Sequence, residues 1–152
     1  VFHWIADHDM LLKNVRKVLK ENGLLVCEFG ADGNITAIEK AFMQVCSDFG
    51  YKYHPKFNFP TTEYFADLLK RNGFIIDKVY DYDRPTPLKD GEQGLVNWMK
   101  QFFASDLEVM PEKLQSEIMK KVENATREQL WNGSEWVADY RRLRAIAHII
   151  SR

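Results

Sequence analysis

Val1-Phe2-His3-Trp4-Ile5-Ala6-Asp7-His8 opens the chain, and Leu24-Leu25-Val26-Cys27-Glu28-Phe29 follows one helical segment later. The first stretch reads as the end of a strand running into a loop. The second reads as a strand with near-continuous apolar character, as in sheets covered on both faces. Between them, Leu11, Val15, Val18 and Leu19 recur at helical spacing, so a helix is predicted over residues 7–21. Asp7 is placed to cap its start and Gly23 its end. Strand, helix and strand in that order build an α/β sheet. The pattern opens on a strand end, so the chain is expected to be the trailing portion of such a sheet, its leading portion lying upstream of Val1.

The rest of the sequence extends this pattern. Gly30-Ala31-Asp32-Gly33-Asn34 is a turn cluster, followed by a helix in which Ile35, Ile38, Phe42, Val45 and Phe49 share a face, with Asn34 as its expected cap. Residues 50–59 form an aromatic, polar loop. Pro60-Thr61-Thr62 begins a short helix that turns Phe65, Leu68 and Leu69 inward and ends at Asn72-Gly73; a strand over 74–82 follows. Beyond Arg84-Pro85-Thr86-Pro87 the character becomes helical. Leu95, Trp98, Met99 and Phe102 form one stripe. Pro111 suits the first turn of a further helix with Leu114, Ile118, Val122 and Ala125 on its inner face. Residues 144–150 close the chain as a strand. The organisation predicted is a sheet portion over 1–84, a helical insertion over 85–138 and a final strand over 139–152 that returns to the sheet.

Composition narrows the function. The 152 residues suffice for a real core. With 21 basic against 22 acidic residues the net charge is -1, which gives no long-range attraction to nucleic acid or a membrane surface. No apolar run approaches the length of a membrane span, and Asp7 and Asp9 interrupt the early apolar stretch where a signal peptide would need continuity. Cys27 and Cys46 are not a close pair and sit in apolar patterns, as free thiols do in a reducing compartment. A cytoplasmic location is the expectation.

Chemistry-bearing motifs are sparse. His3, Asp7, His8 and Asp9 are the densest group of metal-capable side chains, but their spacing is poor for a site, and carboxylates near a helix start are favoured by its dipole alone; no metal site is predicted. The chain contains no G-x-S-x-G, P-loop or G-x-G-x-x-G segment, so neither hydrolase nor nucleotide-loop chemistry is supported. Arg141, Arg142, Arg144 and Arg152 frame the last strand and are expected in solvent, a carboxylate-binding role for one of them being the minor reading. His3-Trp4 lies at the carboxyl end of its expected strand, and Glu28-Phe29-Gly30 at that of the next. Ligands of open α/β sheets bind past such ends. Trp98, in the helical insertion, is placed to roof the crevice.

Phe2-His3-Trp4-Ile5, a helix, and then Val18-Leu19-Lys20-Glu21-Asn22-Gly23-Leu24-Leu25 resembles the fourth-to-fifth-strand region of class I S-adenosylmethionine-dependent methyltransferases, especially the trans-aconitate methyltransferase-like group. Asn22-Gly23 stands where that group often has Gly-Gly. Phe59-Pro60-Thr61 with Leu68, Leu69, Gly73 and Phe74 resembles its helix and sixth strand, and Asp139-Tyr140-Arg141-Arg142-Leu143-Arg144 its seventh. The resemblance implies an α/β fold, the C-terminal part of a Rossmann-like methyltransferase sheet (strands five, seven and six) with a helical insertion. It implies S-adenosylmethionine as cofactor, with the main binding loop upstream of Val1, Phe2 and His3 beside the cofactor, and Trp4, Glu28 and Trp98 beside a small-molecule acceptor. It implies methyl transfer to oxygen, a carboxylate being favoured, or to nitrogen. It singles out no catalytic residue. The isolated chain is expected to be inactive, and to self-associate through the open edge of the Val26 strand or through exposed helix faces. A non-enzymatic binding or oligomerisation module is the competing reading.

Overall fold

The computed structural model describes residues 2–149; Val1, Ile150 and Arg152, named above, lie outside them. The chain runs through a 3-10 turn (Phe2–Trp4), α1 (His8–Val18), β1 (Leu24–Gly30), α2 (Thr36–Asp48), α3 (Thr62–Arg71), β2 (Ile75–Asp83) and β3 (Thr86–Pro87). A second 3-10 turn (Gly91–Gln93) leads into α4 (Gly94–Phe102), α5 (Ala104–Leu107), α6 (Glu112–Leu130), β4 (Val137–Ala138) and β5 (Arg141–His148). The chain divides into two units. Residues 1–34, 56–84 and 140–152 make the first, and residues 35–55 with 85–139 the second.

The first unit is a three-stranded sheet in the order β1-β5-β2, with the last strand inserted between the other two and antiparallel to both. Leu25 pairs with Ala147 and Val26 with Ile146, so the two segments singled out by their apolar character hydrogen-bond to each other. Alternation along β5 sets the core: Leu143, Ala145 and Ala147 point to one face and are fully buried. The two alanines leave room above the middle of the sheet for Leu12 of α1 and Phe65, Leu68 and Leu69 of α3, all fully buried in one apolar cluster. The opposite face differs from the expectation of a strand covered on both sides: Leu24 is 55% and Val26 52% exposed. A continuous apolar run cannot say which of its faces is covered.

Helix ends also differ from the sequence reading. The Asp7 side chain accepts from Met10 N at 2.8 Å, as expected of a cap, but α1 stops at Val18, which is 82% exposed rather than on the inner face. Asn22, not Gly23, takes the left-handed conformation there, with φ 57°. Phe2-His3-Trp4 forms a 3-10 turn, not a strand end.

In the second unit α2 packs on α6, burying Ile38 and Phe42 on one helix and Ile118 and Val122 on the other. Phe42 stacks on Phe103 with ring centroids 4.3 Å apart. On α6 the inner position falls on Thr126 instead of Ala125; its hydroxyl donates to the Val122 carbonyl at 2.8 Å, which satisfies it within the helix. The two-residue strands β3 and β4 pair with each other.

Asn34 does not cap α2. The residue before the helix is Ile35, in the left-handed conformation with φ 56°. The cap comes from far along the chain: Asp139 Oδ2 accepts from Ala37 N at 2.7 Å, and the Asp139 carbonyl accepts from Ile35 N at 3.0 Å. Asp139 Oδ1 is buried without a hydrogen-bond partner among the described residues, and burial pushes the carboxyl above its ordinary pKa. Replacing Asp139 by Ala is therefore expected to cost about 1–2 kcal/mol, whereas Asp139→Asn, which keeps an acceptor and sheds the buried charge, stays within about 0.5 kcal/mol of the parent. Chemical denaturation at neutral pH measures both; equal losses would contradict the capping role.

Candidate functional site

The site is built at the carboxyl ends of β1 and β2, where β5 begins, and all of its groups belong to the first unit. Gly30, Arg142 and Tyr82 stand side by side across the three strands. The Phe2–Trp4 turn packs against this end. His3 Nδ1 accepts from Gly30 N at 3.2 Å, and the His3 carbonyl accepts from Asn58 N at 3.0 Å. These bonds join the turn to the strand end and to the aromatic loop. Phe59 closes over Gly30 so tightly that a Cβ there would meet its ring at 2.5 Å, so this position requires glycine.

Aromatic rings form the wall. His3 lies 5.5 Å from both Trp4 and Phe59, Trp4 meets Phe57 edge-on at 4.9 Å, and Phe57 stacks on Phe59 at 5.4 Å. Trp4 is 56% exposed and offers its ring to solvent. Phe2 points the other way, stacked on Phe29 at 4.8 Å and edge-on to Phe65 at 5.4 Å within the core. Its direct part is to anchor the turn.

Burial above all, with the charge of Arg142 among the smaller causes, drops the His3 pKa from 6.5 to about 4. At neutral pH His3 is therefore uncharged. With Nδ1 accepting from Gly30, its proton sits on Nε2, leaving one ring donor beside the aromatic wall.

Glu28 projects from the uncovered sheet face. It accepts from the Tyr82 hydroxyl at 2.8 Å and pairs with Arg84 at 2.5 Å, with Arg144 Nε at 4.0 Å. These partners keep the carboxylate occupied. Asn34 uses its side-chain oxygen to accept from Arg141 N at 2.8 Å and from the Arg142 guanidinium at 3.1 Å. The sequence signal for Phe57, Phe59, Asn34 and Arg142 was weak, because their roles depend on contacts between distant segments.

Trp98 belongs to the second unit, where it is buried and packs edge-on against Phe103 at 5.3 Å. Burial pushes the Cys27 thiol up to about 12 and the Cys46 thiol up to about 11, so neither is a nucleophile at neutral pH. Among the described residues no three His, Cys, Asp or Glu side chains gather in metal-binding geometry, and no helix is long and apolar enough to cross a membrane. Away from the strand ends, a hollow of about 510 Å³ over α1 and α3 is lined by Met10, Lys13, Arg16, Lys17, Arg71 and Asn72. Its Arg71 is already held by Asp9.

Comparison with solved structures bears on this frame. A methyltransferase-class protein of Bacillus halodurans superposes over 99% of the chain with a TM-score of 0.54 at 9% identity. The YcgJ protein of Bacillus subtilis gives the same coverage and TM-score at 11% identity. The fold is class I methyltransferase-like. By sequence, the chain is 26% identical over 166 aligned positions to the uncharacterized methyltransferase C70.08c of Schizosaccharomyces pombe, matching 96% of the chain and 58% of that protein. The chain spans 66% and 61% of the two bacterial structures. No family model matches it.

The neutral imidazole has a measurable consequence. Between pH 6.5 and about 4 the unfolded chain binds a proton at His3 that the folded chain refuses. Stability linked to His3 is thus whole above pH 6.5, falls as the pH drops to about 4, and is flat below. Titration of the His3 ring by NMR is expected to show a midpoint near 4; a midpoint near 6.5 contradicts the burial described here.

Proposed function

We propose that these residues form the carboxyl-terminal portion of an S-adenosylmethionine-dependent methyltransferase that acts on a small molecule, in the manner of the trans-aconitate methyltransferase-like group, with an acceptor carboxylate as the favoured methyl acceptor. The observation that carries the reading is the sheet itself: an antiparallel last strand set between two parallel ones, a chain-wide likeness to methyltransferase-class folds, and an aromatic site at the strand ends. The match to 58% of the fission-yeast methyltransferase supports a longer parent whose main cofactor-binding loop lies outside this chain.

S-adenosylmethionine supplies an electrophilic methyl group carried on a sulfonium when it is bound. The residues here fit the border of such a group. Trp4 and Phe57 present aromatic surface suited to a cation, and His3 offers a neutral donor that adds no repelling charge. Phe2 sets the turn that carries His3. Trp4 and Glu28 are assigned to the acceptor side. Their work is to hold the acceptor in line and keep water away, since such transfers depend chiefly on alignment. An acceptor that is already a carboxylate needs no base.

Two measurements test this. The complete polypeptide containing this sequence, given S-adenosylmethionine labelled in the methyl group and a panel of carboxylic acids and amines, is expected to form an alkali-labile methyl ester. An alkali-stable methylamine would replace oxygen by nitrogen, and no transfer to either class would overturn the reading. The chain alone is expected to show little or no calorimetric binding of S-adenosylhomocysteine; tight binding would contradict placing the main loop outside it.

The exposed Leu24 and Val26 on the edge strand β1 support self-association of the isolated chain with a second copy, in a cytoplasmic setting. Light scattering is expected to show mass rising with concentration and Val26→Lys to suppress the rise; a monomer at every concentration contradicts it.

A further inference from the structure

The arginines around the strand ends differ in what they touch. Arg141 is held by Asp81 at 2.9 Å and Asp83 at 2.8 Å. Arg84 is held by Glu28. Arg142 has no carboxylate partner among the described residues. One of its terminal nitrogens donates to the neutral Asn34 amide oxygen at 3.1 Å, and its guanidinium lies over the Tyr140 ring, 4.4 Å from the centroid. Its other nitrogens find no hydrogen-bond partner among the described residues.

A half-buried guanidinium with no counter-charge is costly. Removed from water, a cation needs an opposite charge or a full set of acceptors to offset its lost hydration. Arg142 has one acceptor and one ring. Burial holds its pKa below the ordinary arginine value, and Arg84 nearby adds repulsion. The charge of Glu28 attracts Arg142 and offsets part of this cost, but that carboxylate is already hydrogen-bonded by Arg84 and Tyr82. Around this end of the sheet Arg84 and Arg144 share the carboxylate of Glu28, and Asp81 and Asp83 are taken by Arg141, which leaves Arg142 without an ion pair among the described residues. The tie to Asn34 and the Tyr140 ring fix the guanidinium plane, which is the preorganisation a planar two-oxygen ligand requires.

We propose that Arg142 is the anchor of a carboxylate-binding site at the carboxyl ends of β1 and β2, with Asn34 and Tyr140 as its positioning residues and a small molecule bearing a free carboxylate as its ligand. Taking that molecule to be the methyl acceptor rests on the function proposed above; the carboxylate site does not. A carboxylate fits better than a phosphate dianion, because Glu28 lies close and one guanidinium fork matches one planar pair of oxygens. Arg142 thereby selects acceptors by their acid group and sets which end of the molecule faces the aromatic wall.

The test uses the chain as it stands, labelled with nitrogen-15 and titrated with tricarballylate and, separately, with methionine. Saturable shifts at the Gly30 amide, the Asn34 side-chain amide and the Arg142 Nε–H are expected. Arg142→Gln is expected to weaken binding by about tenfold or more. Arg142→Lys, which keeps the charge and loses the fork, is expected to weaken it severalfold while leaving the fold intact by circular dichroism. Arg141→Gln, already ion-paired in the parent, is expected to leave affinity unchanged. Preference for tricarballylate supports an acceptor carboxylate. Preference for methionine supports the same site serving the amino-acid end of the cofactor instead. Binding of neither, or equal binding by folded Arg142→Gln, overturns the proposal. Because no methyl transfer is read, its failure is separable from failure of the methyltransferase reading.

Discussion

Everything in the first unit depends on a strand that arrives last. β5 supplies the backbone partners for β1 on one side and β2 on the other, and without it neither would belong to a sheet. Its pairings with β1 join segments more than a hundred residues apart, such as Leu25 with Ala147. Closing loops of that length is entropically expensive, and the cost is offset only once the apolar cluster around Phe65, Leu68 and Leu69 forms over Ala145 and Ala147. Small side chains at the centre of the sheet and large ones on the covering helices are therefore parts of one arrangement.

The same strand organises the chemistry. The turn between β4 and β5 delivers Asp139 to the start of α2 and, a few residues later, Arg142 to the carboxyl ends of β1 and β2. Asp139 replaces the cap that Ile35 cannot provide, while Asn34, freed from capping, accepts from Arg141 and Arg142. Two buried or half-buried ionic groups three positions apart thus meet different needs. One closes a helix, and the other stands without an ion pair among the described residues.

Where periodicity controls the outcome, the sequence was readable. Phe65, Leu68 and Leu69 are fully buried as their spacing requires, and the strands around Val26, Val79 and Ala147 lie where apolar runs placed them. The misreadings have a common cause. Val18 fits the helical stripe of α1 but falls where the helix ends, so nothing covers it. Ala125 and Thr126 are neighbours on α6, and only the packing of α2 decides which faces inward. A hydroxyl that bonds back to its own helix is not an obstacle to burial. Phe2-His3-Trp4 has strand-like composition, yet its turn is set by bonds to Gly30 and Asn58 that no local window contains. In the candidate site Glu28 does stand near the end of its strand, whereas the strand end expected at His3 and Trp4 is a 3-10 turn. The wall of Phe57 and Phe59 and the condition of Arg142 depend on contacts across the chain. The basic cluster near the C-terminus was legible only as composition, and the partners of each arginine separate their roles.

Fold and site both require the last strand to be the centre of its sheet. Native-state hydrogen exchange on the β5 amides measures this directly. A terminal segment held on both edges is predicted to give Leu143, Ala145 and Ala147 protection equal to the most protected amides of α3, close to that of global unfolding. Exchange of these amides at rates near those of an unstructured tail, with β1 and β2 still protected, would show that the strand is not where the sheet needs it, and the fold and site described here would fall together.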